Sequence, residues 1–269
     1  MTAFIQHFSF EFRTGLRSKE LLLMNYLFPL GCYVFFGLLL GSLNPFFIPT
    51  MIPAMVIFAF LASAILGLPN PLVEAREAGI YRSFKVNGVP AASILTMPTL
   101  TTAFHAIIVA VIITATAQPL FKAPLPTDWL SFVLAVLLTA FSSAGLGSLI
   151  GVISGNTRVT VLWSQLIFLP SMMLSGMMVP FDLLPKALAK VASLLPATYS
   201  MQVFLGWAYR RPAKIDPAWS AIILLAGGAL AFGLALYLFS WDSRNTTRRA
   251  HPALAILALL PYALGAVLL

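Results

Sequence analysis

Six long apolar runs constrain this chain more than any other feature, because each is long enough to cross a bilayer and too apolar to face water. They cover residues 21 to 41, 48 to 69, 90 to 117, 128 to 153, 159 to 179 and 217 to 240. A shorter seventh runs from 252 to 269. A helix rises about 1.5 Å per residue, so about 20 residues match a hydrocarbon core about 30 Å thick. Of 269 residues, 60% are apolar and 9% charged, a balance that a water-facing surface cannot hide. Spanning strands would alternate apolar with polar residues, whereas Ala106 to Ala115 is apolar almost without a break. The expected fold is an all-α polytopic membrane protein of six transmembrane helices.

Positive charge is retained on the cytoplasmic side of short loops, so the 16 Lys and Arg residues vote on orientation. With the N-terminus inside, Arg13, Arg17, Lys19, Arg76, Arg82, Lys85, Arg158, Arg244, Arg248 and Arg249 are inner. Lys122, Lys186, Lys190, Arg210, Arg211 and Lys214 are outer. The majority places the N-terminus in the cytoplasm; the expected location is a plasma or bacterial inner membrane. The net charge of +8 is dispersed over these loops with no aromatic-interleaved basic face, which argues against nucleic acid as a partner. The single cysteine, Cys32, lies within the first run and has no intrachain disulfide partner.

Between the runs the texture changes. Residues 1 to 20 set Phe4, Phe8, Phe12 and Leu16 four apart, as in an amphipathic helix lying in the headgroup region. The loop 70 to 90 opens with Asn70 as a helix cap and Pro71 at the first helical position, predicting a short charged helix. Asn87, Gly88 and Pro90 would end it. The segment 180 to 216 is broken by prolines, and its stripe of Leu183, Leu184, Ala187, Leu188, Val191, Leu194 and Leu195 suits helices that re-enter or lie on the outer leaflet before the sixth span. The tail, 241 to 269, is basic and then apolar; its last 18 residues would rise about 27 Å as an α-helix, close to the minimum for a seventh span. Small residues at four-residue spacing, Gly37 with Gly41 and Gly147 with Gly151 and Gly155, permit close helix approach.

All eight carboxylates, Glu11, Glu20, Glu74, Glu77, Asp128, Asp182, Asp216 and Asp242, fall in loops or at span ends. Ion-coupled carriers usually need ionisable groups at midplane, and membrane transferases clustered carboxylates for a metal. His105 is the titratable side chain near the middle of a span. It is either a substrate contact or proton relay, or an imidazole hydrogen-bonded to a neighbouring helix. Asn25, Gln118 and Gln165 read as polar glue between helices. Three scattered histidines and one cysteine make no metal site, and no GxxxxGK phosphate loop is present. Any uphill transport must draw its energy from elsewhere.

Two segments carry a family resemblance. LSGMMVPFDLLPKALAKVASLLPATY, from Leu174 to Tyr199, and EAREAGIYRSFKVNGVP, from Glu74 to Pro90, fall in the order found in the membrane permease subunit of type-2 ATP-binding-cassette exporters. With the spans and the N-terminal helix, the chain resembles that family across residues 1 to 240. The tail departs from it. The resemblance implies a second permease chain, identical or related, and separate nucleotide-binding ATPase subunits that hold ATP and magnesium. This chain itself would then bind no cofactor and contain no catalytic residue. Glu74, Arg76, Glu77, Gly79 and Arg82 would lie on or near the coupling helix that receives the ATPase motion. Gly176, Pro180, Pro185, Pro196 and Tyr199 would shape an outer gate. The cargo would be drug-like, lipid-like or a polysaccharide. The competing readings are a membrane-embedded lipid-modifying enzyme using His105 or loop carboxylates, and an ion-coupled secondary transporter.

Overall fold

A computed structural model describes residues 2–44, 46–242 and 250–267. The Phe4 side chain and the tail cations Arg244, Arg248 and Arg249 lie outside what it describes. The described residues form helices and no strand. Helix α1 is Thr2–Arg17. Five helices are long and apolar enough to cross a membrane: α2 (Lys19–Leu43), α3 (Phe47–Glu77), then, beyond a short α4 (Ile80–Val86), α5 (Ala91–Phe121) and α6 (Trp129–Ile153), and later Pro217–Leu238. The expected run 159 to 179 is not among them. Its helix, α7, is Thr157–Leu174, 18 residues carrying Arg158, Ser164 and Gln165. It stops early because Gly176 turns into the left-handed region at φ 90, where a helix cannot continue.

Helix α3 is the centre of the bundle. It is apolar all round, and Met51 to Leu61 are buried without exception. The expected cap at Asn70 is corrected by the structure: the helix passes through Asn70 and Pro71 unbroken to Glu77. A π turn at Ala62–Gly67 precedes them, and Leu68 N–H donates to Ser63 O, five residues back, at 3.0 Å. The ladder is already widened there, so Pro69 and Pro71, which lack an N–H and would crowd the preceding turn, follow without ending the helix.

Helix α6 is wedged between α3 and Pro217–Leu238. A Cβ on Gly147 would lie 1.9 Å from Ala64 O, and one on Gly145 2.6 Å from Gly228 O, so backbones touch where only glycine fits. Gly37 and Gly151 are likewise filled against by neighbours, whereas Gly155 has nothing within 4 Å. The glycine spacing therefore serves packing within the chain at these buried positions.

Residues 175 to 216 fold into a 3₁₀ turn at Phe181–Leu183, the seven-residue α8 (Lys186–Ala192), and α9 (Pro196–Val203), which runs into a π turn at Phe204–Ala208. Helix α9 is buried throughout, while Leu183, Leu188, Val191 and Leu194 of the expected stripe face outward, away from the protein. Pro217–Leu238 is α10. The tail, α11 (Pro252–Val267), is 3₁₀ over its first eight residues and α-helical over its last eight. At about 2.0 and 1.5 Å per residue these rise about 28 Å, because the tighter helix is the longer one per residue.

Candidate functional site: the connector and the far gate

The connector between the second and third spans is held by three side chains. Arg76, on the last turn of α3, is 6% exposed. Its guanidinium donates to Val152 O at 2.8 Å and to Ser154 O. These carbonyls belong to the end of α6, where a helix leaves acceptors unpaired and partial negative charge accumulates, so a buried cation fits. Gly79, at φ 75, then reverses the chain into α4, a backbone turn that a Cβ would strain. Tyr81 is buried against Phe239, ring centroids 5.5 Å apart, and Arg82 pairs with Asp242 at 2.5 Å. Burial pushes the Tyr81 phenol up, partly opposed by the charge of Arg76. The connector thus grips α6 through Arg76 and the segment after α10 through Tyr81 and Arg82.

What remains free for a partner differs from the sequence reading. Glu74 and Glu77 are exposed, whereas Arg76 points inward. Ile80 and Val86 are 45% and 87% exposed, which puts an apolar contact beside the carboxylates. Sequence reasoning singled out neither as a contact, although an apolar residue at each end of a seven-residue charged helix is the signal that would have found them.

At the opposite end, Gly176 and Pro180 line a cavity of about 80 Å³ with Met177, Met201, Gln202 and Lys214. Pro185 caps α8 and lies exposed outside this cavity; Pro196 opens α9 and is buried. Tyr199 is fully buried and faces the tail: its hydroxyl has one proton to share between Ser193 O at 2.7 Å and Tyr262 O at 3.2 Å. Tyr262 in turn bonds Ser142 at 2.9 Å. A Cβ on Gly227 would meet the Tyr262 hydroxyl at 2.2 Å, and one on Gly265 the Tyr199 hydroxyl at 2.4 Å. Gln202, another residue that sequence reasoning missed, accepts from Lys214 N–H at 2.7 Å and so ties α9 to the loop before α10. Asn44 donates to Met178 O at 3.1 Å and Arg211 to Pro49 O at 2.8 Å, fastening this end to α2 and α3.

His105 sits apart from both ends. It is 2% exposed, its Nδ1 lies 2.6 Å from the Tyr26 hydroxyl, and its ring stacks on Phe12 of α1 at 4.4 Å. A Cβ on Gly15 would lie 2.9 Å from Nε2. The N-terminal helix therefore covers the imidazole. Asn25 is buried, but its Oδ1 meets no hydrogen-bond partner among the described residues, and Gln118 is exposed at the side of the bundle, so neither is seen acting as the expected helix glue.

Long apolar helices with a charged connector fastened at one end and a folded cap at the other define an integral membrane protein. The family model for the ABC-2 type transporter matches residues 2–209. The chain belongs to that family and is its membrane component, the permease. The match stops short of α10 and the tail. A search of curated proteins returns no match.

Proposed function

We propose that this permease works as an ATP-driven exporter, with ATP and magnesium held by a separate nucleotide-binding subunit and the path formed with a second permease chain. The observation that carries the reading is the connector: a helix, a left-handed glycine and a second helix, pinned to α6 and to the end of α10. A push on Glu74, Glu77 or Val86 reaches two spans through buried or ion-paired groups. In this reading α7 is the fifth of six membrane crossings, α10 the sixth, and the N-terminus is cytoplasmic, in a plasma or bacterial inner membrane. Residues 1–20 are then interfacial, 21–240 the transmembrane domain and 180–216 the outer gate. The exposed apolar stripe of 183 to 194 suits an amphipathic cargo, drug-like or lipid-like, approaching from the bilayer. The covered, acid-free surroundings of His105 favour this reading over a membrane-embedded enzyme or an ion-coupled carrier. Co-expression with its nucleotide-binding subunit tests it. Stable co-purification that is lost when Glu77 and Arg82 are both reversed in charge is the expected result; lipid-modifying activity of the isolated chain would overturn it.

A further inference from the structure

A lateral cavity of about 410 Å³ opens between α5 and α6 at the end of the bundle away from the connector. Val111, Val133 and Leu137 form its apolar wall, and Gln118, Leu125 and Trp129 stand toward its outer end. The volume is that of an ordinary small-ligand pocket, yet the lining offers almost no polar group to orient one. Cations stand beside the polar end. Lys122 lies four residues past Gln118, and Arg210 pairs at 3.5 Å with Asp128, the residue before Trp129. Thr127 and Asp128 N–H both donate to Ala208 O, at 2.8 and 3.0 Å, so the loop that carries Lys122 and the strand of chain that carries Arg210 are fastened together here.

Backbone conformation singles out the same two cations. Lys122, at φ 57, and Arg210, at φ 49, are the non-glycine residues in the left-handed region among the described residues. Lys122 ends α5 in the geometry that glycine fills without strain, its N–H on Gln118 O at 2.9 Å and Ala123 N–H on Ala117 O at 3.3 Å. A lysine there keeps a cation at the membrane surface at a conformational cost. Counting Asp128 against Arg210 and Lys122, the rim retains one net positive charge.

We propose that this cavity is a phospholipid site, with one acyl chain between α5 and α6 and an anionic headgroup at Lys122 and Arg210. Inside a bilayer the chain meets hydrocarbon whether bound or free, so the apolar wall alone gives little preference. Selectivity must come from the headgroup, and an anionic one complements the rim.

The probe is Trp129 fluorescence in phosphatidylcholine vesicles holding a minor fraction of brominated phosphatidylglycerol or brominated phosphatidylcholine, with Trp129→Phe subtracting the other tryptophans. The expected result is about fivefold stronger quenching of Trp129 by the anionic lipid at equal fraction. That preference falls to near unity when Lys122→Gln and Arg210→Gln are combined. Lys122→Gly, which relieves the backbone as it removes the charge, guards against misfolding and should weaken the preference too. Equal quenching by both lipids, or a preference that survives the charge removal, overturns the proposal. So does Trp129 shielded from both lipids, which would assign the cavity to a second copy of the chain.

Discussion

A methyl group on Gly147 would have to share space with the Ala64 carbonyl oxygen, 1.9 Å away, and neither backbone can yield without parting α6 from α3. Gly147→Ala is expected to cost about 1–3 kcal/mol, read as a lower Tm of the purified protein. Gly155→Ala, with open space around it, should leave Tm unchanged. Arg76 offers a second test. Arg76→Met strands the Val152 and Ser154 carbonyls and should cost about 2–4 kcal/mol in the same melt, with Arg76→Lys recovering only part because an ammonium lacks the guanidinium fork. Nothing local in the sequence separates Arg76 from Glu74 and Glu77. All three are charges within the last turn or so of α3, and the carbonyls that bury Arg76 lie 76 and 78 residues further along the chain. His105 is the opposite case: its isolation from carboxylates is visible in the sequence, but its cover by Phe12 and Gly15 is a packing fact.

Elements were legible to the degree that length and hydropathy alone decide them. Continuous apolar runs located α2, α3, α5, α6 and α10, since a bilayer asks only for length and low charge. The connector was placed by its charges but given the wrong start, because prolines read as a boundary unless a π turn has already displaced the ladder. The run ending at 179 was drawn too long because Gly176 looks ordinary until its φ is known. The 3₁₀ start of the tail was not legible, and at about 28 Å its described residues stay close to the minimum for a hydrocarbon core about 30 Å thick. At this scale the Arg82–Asp242 pair gives a coupling prediction. Arg82→Asp should lower permease-dependent ATPase activity several-fold with Tm held, and adding Asp242→Arg should restore it. The tail gives another: Tyr262→Phe removes the bond to Ser142 and should lower Tm by an amount equivalent to about 1 kcal/mol.

For the whole molecule, the chain is a membrane bundle with two differently built ends. One end carries the connector, whose inner side is pinned to α6 and beyond α10 and whose outer side shows Glu74, Glu77, Ile80 and Val86. The other is closed by α9, with Tyr199 locked against the tail. The family, not any motif in this chain, points to an energy source in a separate subunit; the proposal that it attaches at the connector rests on the exposure of individual side chains. Site-specific photocrosslinking tests the attachment most directly, with the photoreactive residue placed in turn at Val86 and at Leu183 in cells that also express the nucleotide-binding subunit. The expected result is a crosslink to that subunit from Val86 and none from Leu183. A crosslink from Leu183, with none from Val86, would contradict the connector as the point where ATP-driven motion enters.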